Sequence, residues 1–188
     1  MWQSREGCTS SGEAQSALSP AVEVVRTYLE LRSPEQLRPA HADASVRFVH
    51  RDGITVDHYR RLYRDVGEHW HWRDRTEWSD ERLAAHLARP DIFVWECVVD
   101  GETAGFFELE RHPEDGSVEI SYFGLIDAFF GRGIGKAMLT RAAQEAWALS
   151  PSRVWLHTCT LDSPHALPNY KARGFDAVRS ERYVIQIP

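Results

Sequence analysis

The residues best suited to chemistry fall in a glycine-rich segment past the middle of this 188-residue chain. Gly131, Gly133 and Gly135 stand between an apolar run and an amphipathic run that begins near Ile134. Small residues at the start of a helix leave backbone N–H groups accessible, and the helix dipole adds positive potential there. With Lys136 beside them, these glycines predict a site for an anionic group such as a pyrophosphate, unless the turn serves only tight packing.

Two familiar phosphate-binding motifs do not match this segment. A P-loop requires a glycine where Phe130 stands and a serine or threonine where Ala137 stands. A Rossmann fingerprint requires a further glycine at Lys136 or Met138, and it opens a βαβ unit, whereas the strands predicted here form a meander. The sequence therefore indicates an anion site of another kind.

A cluster of aromatic residues is the second candidate for ligand binding. Trp70, Trp72 and Trp78 crowd into one short segment. Indole faces attract ammonium groups, a contact worth roughly 0.5–2 kcal/mol, so the cluster predicts a wall for an amine ligand. The competing interpretation is that these rings pack two helices onto a sheet. His69 and His71 lie in the same segment without a third ligand, so no metal site is predicted.

The cysteines offer little chemistry by their spacing. Cys8, Cys97 and Cys159 are three in number and form no CxxC pair, which argues against a disulfide framework or a cysteine zinc site. His157 lies two residues before Cys159 on a predicted strand, so the two side chains share one face. A nucleophilic pair is one interpretation, and packing or polar lining is the favoured one.

The elements that must position these residues follow from hydrophobic periodicity and turn signals. Strands alternate with glycine and proline turns in the centre of the chain, and apolar residues recur at helical spacing elsewhere. The predicted strands are Val22–Leu31, Val46–His50, Ile92–Val99, Thr103–Glu110, Val118–Ile126, Arg153–Thr160 and one or two within Phe175–Pro188. The predicted helices run from Thr55 to Gly67, from Ser79 to Pro90, from Ile134 to Leu149 and from Ser163 to Arg173.

Composition narrows the class of protein. The chain is 43% hydrophobic and 27% charged, which is typical of a single globular domain. Its 22 basic and 28 acidic residues give a net charge of −6, a poor basis for binding nucleic acid and a mild preference for cationic ligands. Residues 1–20 are polar and predict a flexible tail before one domain at 21–188. The sequence has no signal-like segment or membrane-length apolar run, which predicts a cytoplasmic protein without a membrane partner.

Two motifs together resemble the GCN5-related N-acetyltransferases, the GNAT family. The cofactor signature of that family, Arg/Gln-x-x-Gly-x-Gly/Ala, matches at Gly133 and Gly135, with Phe130 at the leading position. Downstream, the run Tyr-Lys-Ala-Arg-Gly-Phe from Tyr170 matches the Tyr-x-x-x-Gly-Phe segment of the family. One helix and one strand separate the motifs, as in the family, and Ser163 stands where the family usually carries asparagine.

The resemblance implies both a fold and an activity. The fold is an α+β (α/β/α) arrangement, whose mixed, mostly antiparallel sheet is splayed between its fourth and fifth core strands. The activity is direct acetyl transfer from acetyl-CoA, without a metal, to a primary amine, here of a small molecule. A peptide or protein acceptor and a CoA-binding sensor without catalysis are the alternatives. Family members often form dimers, so the resemblance also allows a homodimer.

The resemblance assigns roles to individual residues. Tyr170 is the expected general acid and Glu119 the expected base, with Glu108 and Glu110 as rivals. Simple alternation places Glu119, Ser121, Phe123 and Leu125 on one strand face. Trp70, Trp72 and Trp78 form the expected acceptor wall. The expected CoA-binding residues are Phe123, Gly124 and Leu125 for the pantetheine arm, Gly131, Arg132, Gly133, Ile134, Gly135 and Lys136 for the pyrophosphate, and Ser163.

Overall fold

A computed structural model describes residues 21–186, and the tail expected at residues 1–20, with Cys8, lies outside this range. One sheet forms the centre of the described part, with helices on both faces. Its seven strands are β1 Ala21–Leu31, β2 Val46–His50, β3 Ile92–Val99, β4 Glu102–His112, β5 Ser117–Leu125, β6 Val154–Cys159 and β7 Asp176–Gln186. The α-helices are α1 Val56–Gly67, α2 Asp80–Leu87, α3 Ile134–Ala148 and α4 Ala166–Ala172.

The helices begin where the sequence provides caps. The Thr55 hydroxyl accepts a hydrogen bond from the backbone of His58 at the start of α1, and Ser79 does the same for α2. The apolar face of α1 packs with α2 on one face of the sheet. The longer helix α3 buries its apolar residues against the opposite face, together with Tyr170 and Phe175. These two cores make the predicted α/β/α layers.

The strand order is β2-β3-β4-β5-β6-β1-β7, and every neighbouring pair except β5–β6 is antiparallel. The mixed, mostly antiparallel sheet is therefore confirmed. The N-terminal strand β1 lies between β6 and β7, an arrangement that the sequence does not predict. Its register pairs Tyr28 with His157 on one side and with Arg179 on the other.

The parallel pair at the centre of the sheet opens into a cleft. β5 and β6 pair only at Val118 with Val154 and at Glu119 with Trp155. Beyond Glu119 the two strands have no registered partners, so the edge of β5 that faces β6 is free of strand pairing up to Leu125. The predicted splay is confirmed at this position.

A β-bulge in β5 overturns the simple alternation that we expected along this strand. Glu108 pairs with Tyr122 and Leu109 with Ile120, which leaves Ser121 as an extra residue. Ile120 and Phe123 both pack on the α3 side, whereas Tyr122 packs on the α1 side. Glu119 consequently lies on the face of Tyr122, and its expected place on the face of Phe123 and Leu125 is wrong.

The last helix begins later than predicted. α4 starts at Ala166 instead of Ser163, and His165 occupies the N-cap position. The shift places Pro168 in the first turn, where a backbone N–H has no intrahelical acceptor and proline costs nothing. Ser163 instead accepts a hydrogen bond from the backbone of His165 through its hydroxyl, at 3.3 Å.

Candidate active site

A cavity of about 1170 Å³ occupies the cleft between β5 and β6. It extends from the glycine turn before α3, past the free edge of β5 and the start of α4, to the segment between α1 and α2. Most residues predicted for the site line this one cavity, although local sequence patterns contain no information on the distances between them. They are Glu119, Phe123, Gly124, Leu125, Gly131, Gly133, Ile134, Gly135, Lys136, Ser163, Tyr170, Trp70 and Trp72.

The glycine turn has the backbone that an anion site requires. Gly131 and Gly133 have φ angles of 76° and 77°, in the left-handed region that glycine adopts without strain. None of the N–H groups of residues 131–135 donates to a backbone carbonyl of the described chain. Since the first N–H groups of a helix have no intrahelical acceptor, α3 presents them to the cavity with the positive end of its dipole.

Two residues near the turn depart from the prediction: Arg132 was predicted for the site, and Asn169 was not. Arg132 lies outside the lining of the large cavity; its guanidinium stacks 5.2 Å from the ring centroid of Phe129 and lines a neighbouring cavity of about 250 Å³. Asn169, which sequence reasoning missed, donates from Nδ2 to the Gly135 carbonyl at 3.3 Å and so ties α4 to the turn. Its Oδ1 atom is buried in the cavity wall without a hydrogen-bond partner.

The free edge of β5 contains a glycine that its surroundings require. A Cβ atom on Gly124 would lie 2.4 Å from Cγ1 of Val66 in α1 and 3.6 Å from the Trp72 ring. Contacts under 3 Å are not tolerated, so only glycine lets α1 approach the sheet here. Packing against α1 therefore requires glycine at this position, independently of its expected place beside the pantetheine arm.

Tyr170 forms part of the cavity wall. It is 6% exposed, and its ring packs edge-on against Phe123 and Phe175, with centroids 6.1 and 6.4 Å away. Burial raises the pKa of the phenol, and no hydrogen bond to a described residue holds its hydroxyl. The hydroxyl therefore stays protonated at neutral pH and remains available as a proton donor.

Glu119 lines the cavity on the face of the sheet that carries α1. Its Oε2 atom lies 3.2 Å from Nε2 of His112, and its Oε1 atom lies 3.8 Å from Nε2 of His157. Burial raises the pKa of the Glu119 carboxyl to about 7, although the hydrogen bond with His112 acts in the opposite direction. A carboxylate with such a pKa is well matched to proton abstraction near neutral pH.

The two rival carboxylates have other partners. Glu108 is fully buried, where it accepts hydrogen bonds from the Tyr59 hydroxyl at 2.5 Å and from the Arg75 guanidinium at 3.2 Å. Glu110 lines the cavity but pairs with Arg89 at 2.8 Å. The arrangement favours Glu119 as the base, because Glu108 is closed to a ligand and Glu110 is already ion-paired.

The tryptophans separate into two groups. Trp70 and Trp72 line the cavity, and Trp72 packs against Tyr63 and Tyr122 with centroids 5.4 and 5.2 Å away. Trp78 lies outside the cavity lining, so the structure does not bring it to the predicted acceptor wall. Its ring is covered by the guanidiniums of two arginines of the chain itself, which take the cation–π positions that we expected an amine to fill.

His157 and Cys159 both line the cavity, in agreement with the favoured interpretation of the two as packing or polar lining residues. Burial raises the pKa of the Cys159 thiol, and burial together with the charge of Arg26 lowers the pKa of His157. A thiol of raised pKa forms little thiolate, so the pair is poorly suited to nucleophilic catalysis.

One group of described residues has the spacing of metal ligands. Donor atoms of Glu110, His112 and Glu119 lie within 4.8 Å of one another. The ion pair of Glu110 with Arg89 and the contact of His112 with Glu119 account for the same distances without a metal. His69, considered earlier with His71, instead contacts Asp127 at 3.0 Å.

The comparisons with known proteins agree with this geometry. The family model described as the acetyltransferase (GNAT) family matches residues 57–175. That match covers more than half of the chain, which therefore belongs to the GNAT family.

Two curated relatives and one solved structure show the degree of similarity. The chain is 30% identical over 102 residues to N-acetylaspartate synthetase of Rattus norvegicus, covering 53% of this chain and 33% of the relative. It is 26% identical over 113 residues to an uncharacterized N-acetyltransferase in the pepI 3' region of Lactobacillus delbrueckii subsp. lactis, covering 57% and 65%. The chain thus spans less than two thirds of either relative. A GCN5-related N-acetyltransferase from Kribbella flavida shares the fold, with a TM-score of 0.59, 15% identity and coverage of 86% and 58%.

Among residues 21–186, no helix combines the length and the apolar character that crossing a bilayer demands.

Proposed function

We propose that this chain transfers the acetyl group of acetyl-CoA directly to the primary amine of a small molecule. The observation that supports this most is the convergence of three features on one cavity: the unpaired N–H groups at the turn before α3, the free edge of β5, and the Tyr170 hydroxyl. Glu119 lines the same cavity on the acceptor side.

The residues present fit acetyl-CoA as the donor. The N–H groups of residues 131–135 would bind the pyrophosphate, and Lys136 would add a positive charge. The free edge of β5 at Phe123, Gly124 and Leu125 would pair with the amides of the pantetheine arm, as one strand pairs with another. Phe130, 42% exposed at the cavity rim, supplies no charge there, so the backbone carries the phosphate contacts.

The acceptor side depends on Glu119. A primary amine is an ammonium ion at neutral pH and must lose a proton before its nitrogen can attack. Glu119 would take that proton, directly or through one water molecule, and its raised pKa makes it a stronger base than a solvated carboxylate. The freed nitrogen then attacks the thioester carbonyl carbon, which forms the C–N bond.

The leaving group depends on Tyr170. When the tetrahedral intermediate collapses, the C–S bond breaks and the sulfur leaves as a thiolate. The Tyr170 phenol would donate its proton to that sulfur, and the second proton lost by the attacking nitrogen would restore the phenol, directly or through water. Its burial against Phe123 keeps the hydroxyl at a fixed position in the cavity wall. A backbone N–H of residues 123–125 would polarise the carbonyl oxygen.

A small acceptor is supported by the walls of the cavity. The rings of Trp70, Trp72 and Tyr122 line the same cavity as Glu119. Such aromatic faces attract an ammonium group and suit a compact amine. The relative named N-acetylaspartate synthetase has, by that name, an amino acid acceptor. At 30% identity over part of its length, it supports the same class of acceptor here only as a proposal.

Two measurements test the proposed function. Acetyl-CoA at about 100 times its Kd should stabilise the protein by roughly 2.7 kcal/mol, seen as a rise in Tm. Free-thiol release should then require both acetyl-CoA and an amine from a broad panel. Binding without release for any amine would instead support the CoA-binding sensor, and release only with peptide amines would support the peptide acetyltransferase.

The cellular location and the oligomeric state of the protein are also proposals. We propose a cytoplasmic enzyme, which cell fractionation would test, and a homodimer, which light scattering during gel filtration would test. A membrane-associated pool or a monomer at all concentrations would contradict these two statements.

A further inference from the structure

A buried arginine in the acceptor end of the cavity has unused hydrogen-bonding capacity. Arg75, in the segment between α1 and α2, is 8% exposed and lines the cavity. Its Nη2 atom contacts Glu108 at 3.2 Å and His86 at 3.1 Å. Its Nε atom is buried and has no hydrogen-bond partner among the described residues. An unpaired buried N–H of a charged group is costly, so this atom points to a ligand that pairs with it.

Aromatic rings hold the Arg75 guanidinium in place. Its Cζ atom lies 4.0 Å from the ring centroid of Trp78 and 5.1 Å from that of Tyr122. Together with the ion pair to Glu108, these contacts fix the plane of the guanidinium before a ligand arrives. A fixed guanidinium with an unpaired Nε–H can donate a charge-assisted hydrogen bond to a carboxylate without losing its contacts to Glu108 and His86.

A second arginine lines the cavity from another element. Arg26 of β1 donates from Nη2 to the Tyr183 hydroxyl at 3.2 Å, and its Nη1 atom lies 3.7 Å from Glu181. Its Nε atom is also buried without a partner in the described chain. The cavity therefore offers two arginine side chains with unpaired Nε atoms, one from β1 and one from the segment before α2.

The spacing of the charges fits one small molecule. Glu108, which holds Arg75, and Glu110, which pairs with Glu119 across the sheet, are two residues apart on β4. Two residues of a strand span roughly 7 Å and point to the same face. An ammonium at Glu119 and a carboxylate at Arg75 would therefore lie within the reach of a single amino acid, with a hydrogen bond at each end.

We infer that the acceptor is an amine that carries a carboxylate, an amino acid, and that Arg75 binds the carboxylate while Glu119 receives the ammonium. The inference rests on the proposed function and names the class of acceptor for the same site. Arg26 supplies a second carboxylate subsite, which favours an acceptor with two acid groups. Trp72 and Tyr122 then pack against the carbon skeleton between the charged ends.

The test compares acceptors that differ only in their carboxylates. Aspartate presents both acid groups, asparagine and the α-amide of aspartate present one each, and the diamide of aspartate presents neither. Alanine and alaninamide make the same comparison on a shorter skeleton. We expect kcat/KM for aspartate, or for the better of its two monoamides, to exceed kcat/KM for the diamide at least tenfold. Equal or better turnover of the amides would overturn the inference and leave the proposed function standing.

Variants assign the preference to Arg75. Arg75→Gln alone leaves Glu108 buried without its partner, so the double variant Arg75→Gln with Glu108→Gln restores neutrality. In this variant the preference for aspartate over its diamide should fall several-fold through a rise in KM for aspartate, and only the part that Arg26 supplies should remain. Arg82→Gln is the matched control, because Arg82 stacks on the same Trp78 ring at 3.9 Å but lies outside the cavity lining. A preserved preference in the double variant would overturn the role of Arg75.

A binding readout keeps the test independent of turnover. With CoA at saturation, aspartate should raise the Tm of the wild-type protein and its diamide should not. A shift by neither compound, while CoA itself shifts the Tm, would overturn the inference alone. The absence of any shift with CoA or acetyl-CoA would instead remove the proposed function and the inference with it.

Discussion

At the scale of single residues, the position of Glu119 decides how the proposed acceptor loses its proton. The carboxylate is nearly enclosed by β4, β5 and β6, and His112 is its closest described partner, at 3.2 Å. Burial raises the pKa of Glu119 to about 7, so the group is divided between its acid and base forms at neutral pH. The activity should consequently depend on pH in a way that this one residue controls.

Glu119→Gln is the first prediction. The base form exists only above the folded pKa, so kcat/KM of the wild type should rise through about pH 7 and level off above it. The variant should lose about 10²- to 10³-fold in kcat/KM and should lack that rising limb. Thiol-release rates across the pH range are the measurement.

Glu114→Gln is the matched control for this prediction. Glu114 contacts the same His112 at 3.2 Å from its other ring nitrogen but is exposed and outside the cavity lining. Its variant should keep the wild-type rate and pH profile. If Glu119→Gln retained both, the base would have to be another group or a water molecule.

Tyr170→Phe is the second prediction. The change keeps the ring that packs against Phe123 and Phe175 and removes only the hydroxyl, so the Tm and the acetyl-CoA affinity should stay close to wild type. Loss of a general acid should lower kcat about 10²-fold. Tyr28→Phe, which removes a hydroxyl bonded to Glu181 outside the cavity lining, is the control. Full activity of Tyr170→Phe would show that the thiolate leaves without this proton donor.

At the scale of elements, the position of α1 against β5 sets the width of the acceptor end. Gly124 allows the contact with Val66, and Gly67 allows Trp72 to fold back onto the end of α1, because a Cβ there would lie 2.6 Å from the Trp72 ring. Both glycines therefore shape the same wall. Neither is required by a turn or by a positive φ angle, which separates them from Gly131 and Gly133.

Gly124→Ala with Val66→Ala is the third prediction. Gly124→Ala alone should destabilise the protein by about 1–3 kcal/mol, because the new methyl group overlaps Cγ1 of Val66. Val66→Ala removes that atom, so the double variant should be more stable than the sum of the two single changes predicts. Urea unfolding of all four proteins measures the coupling. Additive effects would mean that α1 does not contact β5 as described.

Local patterns predict most of the elements, because their causes are local. The strands Val46–His50 and Ile92–Val99 and the cap at Ser79 agree with the structure to the residue, since alternation, turn residues and capping act over a few positions. The bulge at Ser121 has no such signal, and it depends on pairing with β4. The start of α4 at Ala166 was missed because Ser163 and Pro164 form a locally plausible cap.

The candidate site likewise contains residues that local motifs predict and residues that they do not. The glycine turn and Tyr170 were predictable, since each belongs to a short motif. Arg26 and Arg75 were missed, because nothing in their own segments distinguishes them from other arginines of this chain. Only the fold brings β1 and the segment before α2 to one cavity, so these residues could be recognised only once the cavity was known.

At the scale of the whole molecule, strand β1 connects β7 to the rest of the sheet. It pairs with β6 along one edge and with β7 along the other, so that among the described strands β7 pairs with β1 alone. Leu29 and Leu31 of β1 are also fully buried in the core beneath α3. The described domain therefore depends on the residues just after position 20.

Truncation gives the fourth prediction. A protein of residues 21–188 should unfold cooperatively at the Tm of the full chain, as the proposed domain boundary requires. A protein of residues 32–188 lacks β1, exposes an unpaired edge on both β6 and β7, and should lose cooperative unfolding and acetyl-CoA binding. Circular dichroism during heating distinguishes the two. A cooperative 32–188 protein would contradict the role of β1.

The most direct test of the proposed active site is a crystal structure of the protein with acetyl-CoA. We expect the pyrophosphate oxygens within about 3 Å of backbone nitrogens among residues 131–135. We expect the pantetheine arm along β5 at Phe123–Leu125 and the thioester sulfur beside the Tyr170 hydroxyl. Acetyl-CoA bound elsewhere, or a thioester far from both Tyr170 and Glu119, would contradict the assignment of this cavity as the acetyl-transfer site.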